Sequence, residues 1–246
     1  MLKEKIALIT GGATGIGHSV ALRLAREGAN IVITYSRSES EALSTAKKIR
    51  RLGVKSMVYK ADVSIDDEVR NMIDKIIETF GRLDVLVNNA GRTNFVALED
   101  LEGLREEHWD RVMATNVKGL FFCCRAAASE LKKRNGCIVN ITSVAGVTGM
   151  GSSIAYAASK AAAISTTKSL ARVLAPEVRV NSVAPGAVIT RWHKDKDKVN
   201  QEGEKTPLQR AAHPDDISEV VYSLIAESGY ITGQNIIVDG GMSLGK

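Results

Sequence analysis

Ser143 closes a buried, strand-like run, Tyr156 follows thirteen residues later, and Lys160 stands four residues beyond the tyrosine. If that stretch is helical, positions i and i+4 share a face and the lysine ammonium sits beside the phenol. A free tyrosine ionises near pKa ~10, and a neighbouring cation favours its phenolate. Such a pair can exchange a proton with a substrate oxygen, and a serine hydroxyl nearby can hydrogen-bond the same atom. The spacing is a weak signal by itself, since a chain of this composition yields roughly 0.35 chance Tyr-x-x-x-Lys matches. Its weight comes from the other patterns along the chain.

The first of these is Thr10-Gly11-Gly12-Ala13-Thr14-Gly15-Ile16-Gly17, which lies between an apolar run and an amphipathic one. Glycines at 11, 15 and 17 permit a tight turn, close backbone approach to a pyrophosphate, and close packing of helix on strand. The free N–H groups of the helix N-terminus then face the anion. A glycine turn of purely structural use has the same composition, and position favours the first reading. In dinucleotide-binding units the second strand usually ends near a carboxylate that holds the ribose 2′-hydroxyl. Here it ends Thr34-Tyr35-Ser36-Arg37-Ser38, with a guanidinium and two hydroxyls instead. A carboxylate would repel a 2′-phosphate, whereas Arg37 with Ser36 and Ser38 can bind one, so NADPH/NADP+ is expected over NADH. The alternative is a solvated loop arginine.

The elements that must position these groups are legible as punctuation. Apolar runs at 6–10, 31–34, 54–60, 83–87, 137–142, 178–183 and 235–238 read as strands. Amphipathic segments at 15–27, 39–52, 66–80, 109–134 and 154–175 read as helices. Runs that are apolar throughout suit a parallel sheet covered on both faces, and the alternation is the α/β signature. The least patterned stretch is 186–213, with Trp192 and His193 among charged residues; it is expected to be a lid rather than a disordered excursion.

Composition excludes several classes. The chain has 246 residues, 44% hydrophobic and 25% charged, as in an ordinary globular domain that buries a full core. A net charge of +5 without clustered basic residues, and only 4% aromatics, argue against nucleic-acid binding. No apolar stretch is long enough to span a membrane, and Met1 to Lys5 lead straight into the first strand with no signal or transit peptide expected. Cys123, Cys124 and Cys137 form no paired spacing, which points to a reducing cytoplasm. His18, His108, His193 and His213 have no ligand spacing, so no catalytic metal is expected.

Thr10 to Gly17, Asn88-Asn89-Ala90-Gly91, Asn116, Ser143, Tyr156 with Lys160, and Pro185-Gly186 occur in one order along one chain. This resembles the short-chain dehydrogenase/reductase family over nearly the whole sequence, and within it the 3-oxoacyl-[acyl-carrier-protein] reductases of fatty acid biosynthesis. The resemblance implies one Rossmann-type doubly wound α/β domain over 1–246, a seven-stranded parallel sheet with helices on both faces, and a homotetramer. It implies a catalytic set of Asn116, Ser143, Tyr156 and Lys160. Tyr156 would protonate the alkoxide formed from a carbonyl, and Ser143 would stabilise the same oxygen. Lys160 would lower the Tyr156 pKa and hold the nicotinamide ribose, while Asn116 would hold a water in line with Lys160. Helix capping by Asn116 and strand-end bonding by Ser143 are the structural alternatives.

The resemblance also places Thr14 and Ile16 on the cofactor with the glycines around them, and puts Asp62 and Val63 near adenine. Asp62 has an alternative use as N-cap of the following helix. Asn89, Ala90 and Gly91 would line the adenosine side. Pro185, Gly186, Val188 and Thr190 would meet the carboxamide, and 186–213 would be the substrate loop. Val144, Val147, Met150 and Trp192 would form an apolar wall, with Arg191, His193 and Lys194 as a polar rim. Relatives that use an acyl carrier protein present arginines at the mouth. Arg172 matches one such position and Ala128 replaces another, with Lys132, Lys133 and Arg134 as candidate substitutes. Asp239-Gly240-Gly241 resembles a segment associated with tetramer packing. Alanines 126–128 and 161–163 suit either close subunit contact or burial within the chain. The expected activity is NADPH-dependent reduction of a 3-oxoacyl thioester. A dehydrogenase of a sugar, simple ketone or alcohol, or a catalytically silent dinucleotide sensor, are the alternatives.

Overall fold

The seven apolar runs lie side by side in one sheet of the computed structural model, which describes residues 2–192 and 195–244. The strands are β1 Ile6–Ile9, β2 Asn30–Tyr35, β3 Ser56–Lys60, β4 Val85–Asn88, β5 Cys137–Ile141, β6 Arg179–Pro185 and β7 Asn235–Val238. All pair in parallel, in the order β3-β2-β1-β4-β5-β6-β7. Strands β1, β4 and β5 are buried along their whole length, which explains why they carry no alternation. The strand order reverses between β1 and β4, and a crevice at the carboxyl ends of such neighbours is where α/β sheets bind ligands.

Helices cover both faces. α1 (Gly15–Arg26), α2 (Glu39–Arg51) and α9 (Pro214–Ala226) close one core with Val20, Leu24, Ile49, Ile217 and Val221. α3 (Asp66–Phe80), α5 (Leu120–Lys133) and α7 (Ile154–Leu174) close the other with Met72, Ile76, Cys123, Leu131 and Leu170. The remaining helices are α4 (Glu106–Met113), α6 (Ala145–Thr148) and α8 (Lys196–Glu204). The three cysteines are free and buried, and burial pushes their thiols up. Among the described residues no helix is long and apolar enough to cross a membrane.

Three expectations need correction. The single helix at 109–134 is α4 and α5 joined by a π-helical turn, Ala114–Gly119, whose wider winding turns Asn116 inward. Asn116 therefore caps nothing. The stretch 186–213 is less irregular than its sequence, because α8 lies within it, capped by the Asp195 carboxylate accepting from the Lys198 N–H at 3.0 Å. Only Val199 and Gly203 of that helix are buried, too thin a stripe to show among alternating charges. Lys132, Lys133, Arg134 and Arg172 do not stand at a mouth beside Tyr156. α5 and α7 run back along the sheet, so their carboxyl ends lie at the opposite edge, and sixteen residues of helix separate Arg172 from Tyr156 by about 24 Å.

Candidate active site

The glycine turn after β1 is built against β4. The Thr10 hydroxyl accepts the N–H groups of Asn89 and Ala90, each at 3.0 Å, and the Asn89 amide donates to the carbonyls of Thr10 and Gly11 at 3.0 Å. Asn89 is thus spent on shaping the turn. Gly11 has φ +62°, and a Cβ at Gly17 would lie 2.4 Å from the Asn89 amide nitrogen, so both positions require glycine. Thr14 leads into α1 with no side-chain cap and no acidic residue in the first turn. Uncapped N–H groups at a helix start, approached by a Cβ-free backbone, fit the pyrophosphate of a dinucleotide. Ile16, half-buried, packs against the core beside β1.

On one flank, Ser36 and Arg37 are exposed after β2 and Ser38 is half-buried. Asp62 faces them across the end of β3. Its carboxylate accepts the N–H of Ser64 at 2.9 Å and the Ser64 hydroxyl at 2.6 Å. Desolvation opposes its ionisation, but those bonds and the charges of Arg92 and Arg37 outweigh it and hold the carboxyl below its usual range. The residue at the helix start is Ile65, so Asp62 closes a turn and does not cap α3. Val63 is buried against Gly119 of the π turn, where a Cβ would come within 2.7 Å of its side chain.

On the other flank, Ser143 follows β5, and the Ser153 hydroxyl caps α7 by accepting the Tyr156 N–H at 3.2 Å. The two are brought together because α6 lies directly on α7 at Gly146, where a Cβ would fall 2.5 Å from the Lys160 carbonyl carbon. The Trp192 ring leans on Tyr156, centroids 5.8 Å apart and planes at 50°. Desolvation pushes the phenol up to about 12, against the hydrogen-bonding Ser143 hydroxyl. Lys160, 5% exposed, donates from Nζ to the Ile141 carbonyl at 2.8 Å, and desolvation pushes it down to about 8. Its Nζ is 5.7 Å from the Tyr156 ring centroid. The expected lowering of the Tyr156 pKa by Lys160 is therefore absent here: the lysine is anchored on a strand carbonyl, and desolvation dominates both groups.

Asn116 completes the cluster. Its amide donates to the Arg92 carbonyl and the Ser159 hydroxyl, both at 2.9 Å, and its Oδ1 accepts the Arg92 N–H at 2.8 Å. Asn116 Oδ1 and Lys160 Nζ lie 3.6 and 3.8 Å from where a Gly91 Cβ would be, so Gly91 keeps that corner open. Ser159, which the sequence did not single out, passes the Asn116 contact on to the Tyr156 carbonyl at 2.7 Å.

The segment after β6 crosses the cleft. Gly186 sits under Asp239, and Val188 is buried and bridges to Ala212. Thr190 lies over Gly15, its methyl 3.4 Å from the Cβ position, and accepts the Trp192 N–H. Arg191, expected on the substrate rim, instead turns to Ser38 and Glu41. Val147 and Met150 are exposed and Val144 half-buried, as a wall would need. His193 and Lys194 lie outside the described residues.

Comparison with known proteins places this geometry. The sequence model of the family described as enoyl-(acyl carrier protein) reductase matches residues 11–243. A solved short-chain dehydrogenase/reductase from Burkholderia xenovorans superposes with a TM-score of 0.93, at 36% identity over 98% of each chain. The chain belongs to the short-chain dehydrogenase/reductase family. A short-chain dehydrogenase from Burkholderia cenocepacia, solved in complex with NADP, is similar at TM-score 0.91 and 35% identity, covering 98% of this chain and 99% of that one. The 3-oxoacyl-[acyl-carrier-protein] reductase of Staphylococcus epidermidis is 40% identical over 97% of this chain and 99% of its own. That of Thermotoga maritima is 39% identical over 98% of each. As a short-chain dehydrogenase/reductase, the protein is an oxidoreductase.

Proposed function

We propose that this enzyme uses NADPH to reduce a 3-oxoacyl thioester to its 3-hydroxy form, with Asn116, Ser143, Tyr156 and Lys160 as the catalytic set. The observation that carries the reading is the convergence of Ser143, Tyr156 and Lys160 beside an uncapped helix start, all at the carboxyl edge of a parallel sheet. The names of relatives at about 40% identity support the substrate class. Gly11, Thr14, Gly15, Ile16 and Gly17 would hold the pyrophosphate, Ser36, Arg37 and Ser38 the 2′-phosphate, and Asp62, Val63, Asn89, Ala90 and Gly91 the adenosine half. Pro185, Gly186, Val188 and Thr190, with Tyr156 and Lys160, would hold the nicotinamide half. When bound, the nicotinamide supplies the hydride that the carbonyl carbon receives.

The protein's own groups manage the proton. With its phenol pushed up to about 12, Tyr156 holds its proton at neutral pH and is ready to donate it to the developing alkoxide. Ser143 stabilises the charge on that oxygen. Lys160, buried and near neutrality, is placed to return the proton to Tyr156 once it leaves Ile141. Trp192 packs on the Tyr156 ring and covers part of it. The segment 186–213 acts as substrate loop, and the working form is a homotetramer in the cytoplasm.

A second reading, reduction of a simple ketone or oxidation of a sugar or alcohol, is favoured by one observation: the basic residues expected to greet a carrier protein lie at the far edge of the sheet. The deciding experiment compares one 3-oxoacyl group on acyl carrier protein, on coenzyme A and on a neutral minimal thioester. Reduction of all three is expected. Failure with all three, alongside turnover of ketones or sugars, would transfer the assignment to the second reading.

A further inference from the structure

The residue pair Arg191 and Trp192 touches both ends of the cleft. Arg191 Nη1 lies 2.7 Å from Glu41 Oε1, and Nη2 donates to Ser38 Oγ at 2.5 Å. Ser38 belongs to the turn that carries Arg37, and Glu41 lies in the first turn of α2. The next residue, Trp192, packs on Tyr156. Between them the backbone is short and tied, since the Trp192 N–H bonds the Thr190 hydroxyl at 3.2 Å. Thr190 and Arg191 also border a cavity of ≈ 460 Å³ shared with Thr14, Gly15, His18 and Lys196.

The ion pair that now holds Arg191 is weak. Both side chains are largely exposed, 56% and 44%, and such pairs contribute little in water. A phosphate monoester carries about two negative charges and three strong acceptor oxygens, and it forms bidentate bonds with a guanidinium. Placed at Ser36, Arg37 and Ser38, it would compete with Glu41 for Arg191 and win. A nucleotide with a bare 2′-hydroxyl has no such claim, and Arg191 would stay on Glu41.

We propose that Arg191 is a second guanidinium for the 2′-phosphate and that it reports the phosphate to the catalytic tyrosine through Trp192. This rests on the reading of the Ser36 to Ser38 turn as the 2′-phosphate site. It makes Arg191 a specificity-determining residue and assigns the loop after β6 to cofactor choice as well as to substrate. Glu41 becomes the resting partner that keeps the arginine from drifting into solvent, and its carboxylate repels the phosphate it gives way to.

The test uses the full chain and four nucleotides: NADPH, NADH, 2′,5′-ADP and 5′-AMP. Arg191→Ala should weaken NADPH and 2′,5′-ADP by about tenfold or more, the scale of one hydrogen-bonded charge contact. NADH and 5′-AMP should bind as before, Arg191→Lys should recover part of the loss, and Glu41→Gln should tighten NADPH. Trp109→Phe leaves Trp192 as the sole tryptophan. Its emission should respond to 2′,5′-ADP but not to 5′-AMP, and the response should vanish when Arg191→Ala is added. Equal losses for phosphorylated and unphosphorylated nucleotides would overturn the inference. So would selectivity that collapses in Arg37→Ala but persists in Arg191→Ala, which leaves the phosphate site standing without Arg191. If neither arginine discriminates, the 2′-phosphate reading fails and takes the inference with it. A selective Arg191 with a silent Trp192 overturns the link to Tyr156.

Discussion

Burial sets Tyr156 and Lys160 moving in opposite directions, the phenol up to about 12 and the ammonium down to about 8. Both shifts disfavour charge, so the resting pair is an intact phenol beside a lysine that gives up its proton easily. Tyr156→Phe keeps the ring that Trp192 packs on and deletes only the donor. Carbonyl reduction by that variant, followed by NADPH absorbance, should fall by about 10²–10⁴. Full turnover would remove Tyr156 from the chemistry. Lys160 also makes a statement about stability. Its folded pKa lies below the unfolded value of 10.5, so the folded state binds fewer protons between about pH 8 and 10.5, and stability rises with pH across that window. Below it the full penalty of a buried ammonium applies, on the order of 3 kcal/mol. Lys160→Met should therefore raise the denaturant midpoint at pH 7, with the gain shrinking as pH climbs to 10.5. A gain that is constant with pH, or a loss, would show that the lysine is not buried in charged form. Asn116, Ser143, Tyr156 and Lys160 could be put forward as a catalytic set from the order of motifs and the family they resemble. Their bonding was not legible, because spacing places Lys160 beside Tyr156 but says nothing of the Ile141 carbonyl that holds it.

Among the elements, the short helix α6 makes the close contact that bears on the site. α6 carries Gly146 onto the backbone of α7, and a methyl there would meet Lys160 C at 2.5 Å and Ala161 N at 2.6 Å. Neither atom can swing aside, so Gly146→Ala must part the helix after Ser143 from the helix bearing Tyr156. We expect a loss of about 1–3 kcal/mol in denaturant unfolding, the range for overpacking, together with a fall in kcat. Gly229→Ala, which meets nothing within 4 Å, is the control that should leave both unchanged. If Gly146→Ala matches that control, the close approach does not position Ser143. The strands and long helices showed in the sequence because glycine or a polar turn bounds each apolar run, and β7 and α3 begin and end where the pattern does. The π turn did not show, since its one distinguishing property is winding, and 114–119 keep an ordinary helical composition. α8 was hidden by a surface of alternating Lys and Asp. Arg191 was misplaced for a related reason: sequence says a loop is near two sites and cannot say which one a long side chain chooses.

On the scale of the whole molecule, the sheet ends in an open edge. Among the described residues β7 pairs with β6 alone, and Ile237 on it is 41% exposed. A parallel edge strand with an apolar face is a pairing surface that proteins cover or charge. Further exposed apolar residues lie on α5 and α7. There Phe121 is 40% exposed beneath the Arg125 guanidinium, and Val173 and Ala161 face outward, whereas Ala127 and Ala163 are buried within the chain. The alanine runs are thus buried in part and exposed in part. If each surface paired with its own copy in another chain, the two contacts together would build the proposed four-membered assembly of dihedral symmetry. Sedimentation equilibrium at micromolar concentration should therefore return four times the 26.4 kDa chain mass. Ile237→Glu places a charge on the β7 edge and should leave dimers held by the α5 and α7 faces. A parent protein that sediments at 26.4 kDa would refute the assembly. A variant that stays tetrameric would show that the β7 edge is not one of its contacts.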